Sequence, residues 1–158
     1  MTSSEYIDKF ILLQAKILQE QKLYFASVIV LTIGLEVMGG FFDKKPLKSP
    51  RQSKVRFKIA IDKLLGGKYS TLNNNDYLYE SIRNQLVHSL LSGKYFEWNI
   101  SENESHLLES NNIISFNPKV FLTDTEKAAS RLKQFITEGK AFEKRIPDNA
   151  EALLKFVL

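Results

Sequence analysis

The pattern of apolar positions predicts a mostly helical protein. Apolar residues recur every three or four positions, the spacing of one helix face, in segments at residues 4–19, 26–42 and 53–65. The second segment is the most apolar, and its length of roughly 17 residues is at the lower limit for crossing a membrane. Glu36 and the pair Gly39-Gly40 favour instead a helix that is buried on most sides within a bundle.

A fourth helical segment, residues 77–91, carries the polar residues with the clearest chemical potential. At about 100° per residue its apolar side chains fill one arc, and Glu80, Asn84 and His88 form a polar stripe beside that arc. Arg83 is the exception, because its direction falls inside the apolar arc. A guanidinium there is costly unless it is paired. This segment therefore contains an Arg that needs a partner, together with one of only two histidines in the chain.

The sequence Arg83-Asn84-x-x-x-His88 resembles the R-x(4–6)-H signature of the HEPN superfamily (higher eukaryotes and prokaryotes nucleotide-binding domains). In that family Asn, Asp or His typically follows the Arg, and Asn84 fits. The resemblance covers about the first 95 residues. It implies a HEPN-like antiparallel helical bundle and a metal-independent endoribonuclease. Its implied catalytic residues are Arg83, Asn84 and His88, and Glu36 and Glu80 would support them.

The residue types of this motif fit RNA cleavage through a cyclic phosphate. A His can move the proton of a ribose 2′-hydroxyl near neutral pH, and an Arg can hold the scissile phosphate. Arg83 and His88 are about 140° apart around one helix, so a single helix does not easily direct both to one atom. A two-fold homodimer would bring two motif helices together, as HEPN nucleases do. Alternatively, His88 is a surface residue that bonds Glu80 or Asn84.

Glu36 is the only ionisable residue in the apolar second segment. It has three interpretations. It lies exposed at the edge of its helix, it is a buried partner of Arg83, or it serves the active site directly. Two charges inside a small bundle prefer each other, because a lone buried charge is very costly.

The connection after the second helix is basic and contains prolines. Lys44, Lys45, Lys48 and Arg51 belong to the densest basic stretch of the chain. This stretch is either a solvated loop or a nucleic-acid-binding surface that contacts phosphates beside the motif.

We expect one HEPN-like domain over residues 1–158, with a helical bundle at 1–93, a small β-hairpin or antiparallel meander at 94–122 and C-terminal helices at 123–158. The strands are expected near residues 95–100, 106–109 and 113–116, with a turn at 101–104. A capping box at Thr123-Asp124-Thr125-Glu126 predicts a helix that continues to about Lys144, and a short terminal helix after Pro147 should dock on the bundle. The other expected helix starts are Ser3 or Ser4, Ser49 or Ser53, and Asn75 or Asp76, the last pair following a linker at 68–76.

Composition narrows the possible functions. The net charge of +4 permits nucleic-acid binding, although an ordinary soluble domain also fits it. The absence of Cys excludes disulfides and thiolate metal sites, and two histidines cannot form a His-rich metal site within one chain. We therefore expect no metal and no cofactor. The N-terminus lacks a signal-peptide pattern, so a cytoplasmic location without membrane attachment is expected.

Three functions remain open at this stage. The first is a homodimeric endoribonuclease, related to a toxin or a defence system. The second is a non-catalytic HEPN module that binds RNA or a nucleotide. The third is a protein-interaction subunit whose partner is a cognate antitoxin or a regulatory protein.

Overall fold

The computed structural model describes residues 1–101 and 105–154, which form a mostly helical protein with one small sheet. The predicted mostly α-helical class is therefore confirmed. The elements in chain order are α1 (3–20), α2 (Tyr24–Gly39, extended by a 3-10 turn at Gly40–Phe42), α3 (53–65), α4 (Gly67–Leu72), α5 (77–89), β1 (Phe96–Trp98), β2 (Leu108–Ser110), β3 (Ile113–Phe116), α6 (Pro118–Thr137) and α7 (Ala150–Leu154).

Helix α2 is the central helix of the fold and packs against α1, α3 and α6. The stretch Tyr24–Phe42 is long and apolar enough to cross a membrane, but much of it is buried within the bundle, as predicted. Its fully buried side chains include Val28, Leu31, Leu35 and Met38. A Cβ at Gly39 would lie 1.8 Å from the carbonyl oxygen of Arg56, so the close approach of α2 and α3 requires glycine.

Several predicted helix starts are wrong, because other residues supply the caps. The hydroxyl of Thr2 accepts from the backbone N–H of Glu5 and forms a capping box with it, so Thr2 caps α1 in place of Ser3 or Ser4. Helix α3 begins at Ser53, one of its two expected starts. The expected linker at 68–76 instead forms α4 and a 3-10 turn at Asn74–Asp76.

The motif helix α5 also differs from its prediction at both ends. Asn75 and Asp76 have positive φ, and the backbone N–H of Tyr79 donates instead to Oδ1 of Asn73. The helix ends at Ser89, because Leu90 adopts the left-handed conformation with φ of 56°. Leu90 and Leu91 therefore lie outside the helix and its apolar arc.

The predicted antiparallel meander is wrong in its strand order. Strand β3 lies in the middle, with β1 parallel to it and β2 antiparallel to it. Strands β2 and β3 do form the expected hairpin through Asn111 and Asn112, both with positive φ, as a type I′ turn requires. Because β1 is parallel to β3, the chain must cross over before β2. Residues 102–104 of the expected turn lie outside the described part.

The predicted capping box at residues 123–126 is also wrong. Helix α6 begins at Pro118, and Oδ1 of Asn117 accepts from the backbone N–H of Lys119 at 2.9 Å. Proline is favoured at the first helical position. Helix α6 ends at Thr137, before the expected Lys144. The short terminal helix is present as α7, but its Leu153 is exposed, so the expected docking is not observed at that residue. Residues 155–158 lie outside the described part.

A buried chain of hydrogen bonds ties the sheet region to the bundle. Nδ1 of His106 accepts from the backbone N–H of Asn117 at 2.9 Å, so its proton lies on Nε2, 2.8 Å from the hydroxyl of Tyr69. That hydroxyl donates to Oδ2 of Asp124 at 3.0 Å. Burial lowers the pKa of His106 to about 4, with Lys68 adding to the effect and Asp124 opposing it. His106 is therefore a neutral structural residue.

Candidate functional site

The guanidinium of Arg83 is held from two other helices. Its Nε donates to Oε2 of Glu36 on α2 at 3.0 Å, and its Nη2 lies 2.8 Å from the same oxygen. The hydroxyl of Ser53, at the start of α3, donates to Oε1 of Glu36 at 2.8 Å. The Arg83 and Glu36 side chains are only 13% and 20% exposed. Arg83 thus has the partner that its inward direction requires, and the contact agrees with the second interpretation of Glu36.

One edge of the Arg83 guanidinium stays available. The Tyr79 ring lies beside the group, with its centre 5.5 Å from Cζ of Arg83. Nη2 also contacts the Ser53 hydroxyl at 3.5 Å. In contrast, Nη1 forms no hydrogen bond with any described residue, and it is not among the buried polar atoms that lack a partner. Nη1 is therefore the guanidinium nitrogen that keeps its hydrogen-bonding capacity unused among the described residues.

A second, more exposed network lies beside this pair. The ammonium of Lys54 is 3.1 Å from Asp76 and 3.3 Å from Glu80, and the side-chain amide of Asn84 donates to Glu80 at 3.0 Å. Hydrogen bonds to Asp76 and Glu80 raise the pKa of Lys54. Glu80 therefore fixes the orientation of the Asn84 side-chain amide.

His88 is exposed on the last turn of α5. It forms no hydrogen bond or ion pair with any residue that the structure describes. The alternative is correct in placing His88 at the surface, but it is wrong about the bond, because His88 makes no hydrogen bond with Glu80 or Asn84. Arg83 points into the bundle and His88 lies in solvent, in agreement with the divergence expected from their spacing. Within the part of the chain that the structure describes, His88 therefore has no hydrogen-bonded or ionic partner.

The predicted nucleic-acid-binding residues do not join the motif. Lys44, Lys45, Lys48 and Arg51 are all exposed, and no described hydrogen bond or ion pair links them to Arg83, Asn84 or His88. The first three line a cleft of about 950 Å³ that Arg51 does not line. The basic stretch thus forms a surface of its own.

Sequence reasoning missed two residues that position Arg83. Ser53 bridges to Glu36, and Tyr79 packs its ring beside the guanidinium. The sequence marks Ser53 only as a possible helix start, and it marks Tyr79 only as an aromatic residue of the motif helix. Helical spacing offered a signal for Tyr79, because it lies four residues before Arg83 on the same helix. No local signal identifies Ser53.

Comparison of the chain with protein-family models, with curated proteins and with solved structures found no match. The HEPN resemblance therefore rests on the motif helix and stays a prediction. Among the described residues, no group of three or more His, Asp and Glu side chains is placed to hold a metal ion.

Proposed function

We propose that this protein is a HEPN-like endoribonuclease that cleaves RNA as a homodimer, without a metal ion. One observation carries the proposal. Among the described residues, Arg83 is fixed by Glu36 and its Nη1 forms no hydrogen bond, and His88 on the next turns of the same helix is exposed without a hydrogen-bonded or ionic partner. A positioned guanidinium can bind a phosphate, and an exposed imidazole can accept and donate protons near neutral pH. These are the two groups that RNA cleavage without a metal needs.

The proposed reaction is an internal transfer at phosphorus. The imidazole of His88 accepts the proton of the ribose 2′-hydroxyl, and the 2′-oxygen forms a bond to the neighbouring phosphorus. The bond from phosphorus to the 5′-oxygen of the next nucleotide breaks, and that oxygen takes a proton from an imidazolium. Nη1 of Arg83 donates to a phosphate oxygen and offsets its growing charge. The products are a 2′,3′-cyclic phosphate and a 5′-hydroxyl end.

The dimer is proposed from two features of α5. His88 and the Arg83 guanidinium face different directions, so a second copy is needed to bring the two types of group together. Leu90 and Leu91, which directly follow the helix, are 64% and 65% exposed and offer an apolar contact for that copy. Arg83 is already satisfied by Glu36 within one chain, so its inward direction does not itself require a dimer. A cytoplasmic toxin or defence nuclease, restrained by a cognate antitoxin or regulatory protein, would suit this activity.

The test is incubation of purified protein with mixed RNA in EDTA, comparing wild type with His88→Ala. We expect wild type to leave 2′,3′-cyclic phosphate ends and His88→Ala to lose cleavage with an unchanged thermal midpoint, because His88 is exposed and forms no hydrogen bond or ion pair with a described residue. Gln85→Ala, at another exposed position of α5, is the matched control and should keep activity. A substrate without the 2′-hydroxyl should bind but stay intact. Equal cleavage by wild type and His88→Ala, or no cleavage by wild type, would reject the nuclease.

A further inference from the structure

A cleft of about 950 Å³ lies between the connection after α2 and the segment at residues 142–148. This volume is within the range of small-molecule sites in proteins. The motif residues Arg83, Asn84 and His88 do not line it. Its apolar wall is made by Tyr6, Val37, Pro46, Leu47, Phe142 and Pro147.

Exposed cations surround the mouth of this cleft. Lys44 and Lys48 line it and form no ion pair with any described residue. Arg145 also lines it, and its only described ion pair is a contact of 3.6 Å with Asp148. The other acidic residue of the lining, Glu143, accepts from the backbone N–H of Ser3 at 3.1 Å. Lys44 and Lys48 therefore carry positive charge at the mouth that no ion pair with a described residue compensates.

Two buried cations add to this positive charge: Lys144 lines the cleft, and Arg56 donates to the backbone carbonyls of the lining residues Pro46 and Leu47. The buried cations Arg56 and Lys144 share a single carboxylate, Asp43, at 2.9 Å and 3.6 Å. Their remaining hydrogen atoms are donated to carbonyl oxygens of the connection, among them Leu47 at 2.6 Å and Lys45 at 2.8 Å. These bonds fix the shape of the wall. Arg56 and Lys144 together carry two positive charges, and Asp43 carries one negative charge. Because the surroundings have a low dielectric constant, the remaining positive charge raises the electrostatic potential in the cleft.

Phe142 supplies an aromatic surface next to these cations. Its ring is 42% exposed, although its backbone N–H is anchored to the carbonyl of Phe41 at 2.7 Å. The ammonium groups of Lys44 and Lys144 each lie 5.9 Å from the ring centre. An exposed aromatic ring that is flanked by cations is the arrangement on which proteins stack nucleic-acid bases beside their phosphates.

We propose that this cleft binds a nucleotide, with the base against Phe142 and the phosphates at Lys44, Lys48 and Arg145. A simple anion would leave the ring and the apolar wall unused, and an apolar ligand would leave the cations unpaired. The nucleotide is either free in solution or one unit of an RNA strand, since both present a base joined to phosphate. The site is separate from the motif helix and does not depend on RNA cleavage.

Calorimetric titration with ATP and with inorganic triphosphate tests the site. We expect wild type to bind ATP, and Lys44→Ala/Lys48→Ala to weaken that binding at least tenfold. The matched control is Lys68→Ala/Lys119→Ala, which removes two exposed lysines outside the cleft and should bind like wild type. Phe142→Leu should weaken ATP several-fold more than triphosphate, because only ATP carries a base. Thermal midpoints check that each variant is folded.

A second titration, with a labelled single-stranded oligoribonucleotide, identifies the source of the nucleotide. Cleft-dependent ATP binding identifies a free nucleotide as ligand, and cleft-dependent binding of the oligoribonucleotide alone identifies a unit of a strand. Both titrations measure binding and not RNA cleavage, so failure of the cleft and failure of the nuclease proposal are distinguishable. Absence of binding by both probes, equal losses in the two lysine pairs, or equal effects of Phe142→Leu on ATP and triphosphate would overturn the proposal.

Discussion

At the scale of single residues, the pairing of Arg83 with Glu36 decides how the motif is held. An unpaired charge in a mostly buried position is costly, and the two side chains are only 13% and 20% exposed. The hydroxyl of Ser53 occupies the second carboxylate oxygen. The guanidinium therefore has one orientation, which a phosphate-binding group needs.

Glu36→Gln should destabilise the protein by about 2–4 kcal/mol, somewhat below the full range for a fully buried pair because solvent reaches the site. Arg83→Lys should keep only part of the stability that the pair provides, because an ammonium group cannot reproduce the planar, two-nitrogen contact of the guanidinium with Glu36. Urea unfolding of Glu36→Gln, Arg83→Gln and the double variant measures the coupling. Lys54→Ala removes two ion pairs at the surface and a cation–π contact of 5.8 Å with Tyr79. It is the control and should change stability little, because ion pairs near solvent contribute little. A coupling energy near zero would contradict the pair.

The need for a partner of Arg83 could be predicted from the sequence, because its helical direction placed a charge in an apolar arc. Glu36 was a candidate since it is the only ionisable residue of the most apolar segment. Ser53 and the chain from His106 through Tyr69 to Asp124 could not be predicted in this way. Their contacts join residues that are far apart in sequence, and no local pattern encodes them.

At the scale of elements, periodicity predicted the helices better than the ends of those helices or the sheet. The apolar spacing of α1, α2 and α3 is strong enough to define them. The start of α6 differs from its prediction because two start signals stand close together, and the cap Asn117 before Pro118 is used in place of the capping box at residues 123–126. The strand order was missed because alternation shows that a strand exists but not which neighbour it pairs with.

The burial of His106 lowers its pKa and should therefore make stability depend on pH. His106 has a pKa of about 4 in the folded protein and an ordinary value of 6.5, so the unfolded chain binds more protons between these values. The contribution of His106 to the free energy of unfolding should be at its maximum above about pH 6.5. It should fall by at most about 3 kcal/mol as the pH drops towards 4. Urea unfolding across this range measures the slope.

His106→Asn is the variant that isolates this effect, because its Oδ1 can still accept from the backbone N–H of Asn117 but does not titrate. It should lower stability at neutral pH and flatten the slope between pH 4 and 6.5. His88→Asn removes the other, exposed histidine and should keep the wild-type slope. A slope unchanged in His106→Asn would show that other groups cause the acid sensitivity.

At the scale of the whole molecule, the connection between α2 and α3 contributes residues both to the cleft and to the surroundings of Arg83. The residues after α2 place Lys44 and Lys48 at the cleft, and the connection ends at Ser53, which contacts Glu36. Lys45, also at the cleft, donates to Gln52 at 2.9 Å. The connection thus links the proposed nucleotide cleft to the motif site, although no described hydrogen bond or ion pair joins their proposed ligand-binding side chains directly.

Assembly is the feature on which the nuclease proposal depends most. If two copies of α5 meet, light scattering should report twice the chain mass of 18.2 kDa, because the exposed Leu90 and Leu91 would be covered by the second copy. Leu90→Ser/Leu91→Ser should then yield a folded monomer that has lost RNA cleavage. Leu23→Ser, which changes an exposed leucine elsewhere, should stay dimeric and active. A wild type that cleaves RNA as a monomer at every accessible concentration would contradict the composite site, since Arg83 and His88 of one chain would then suffice.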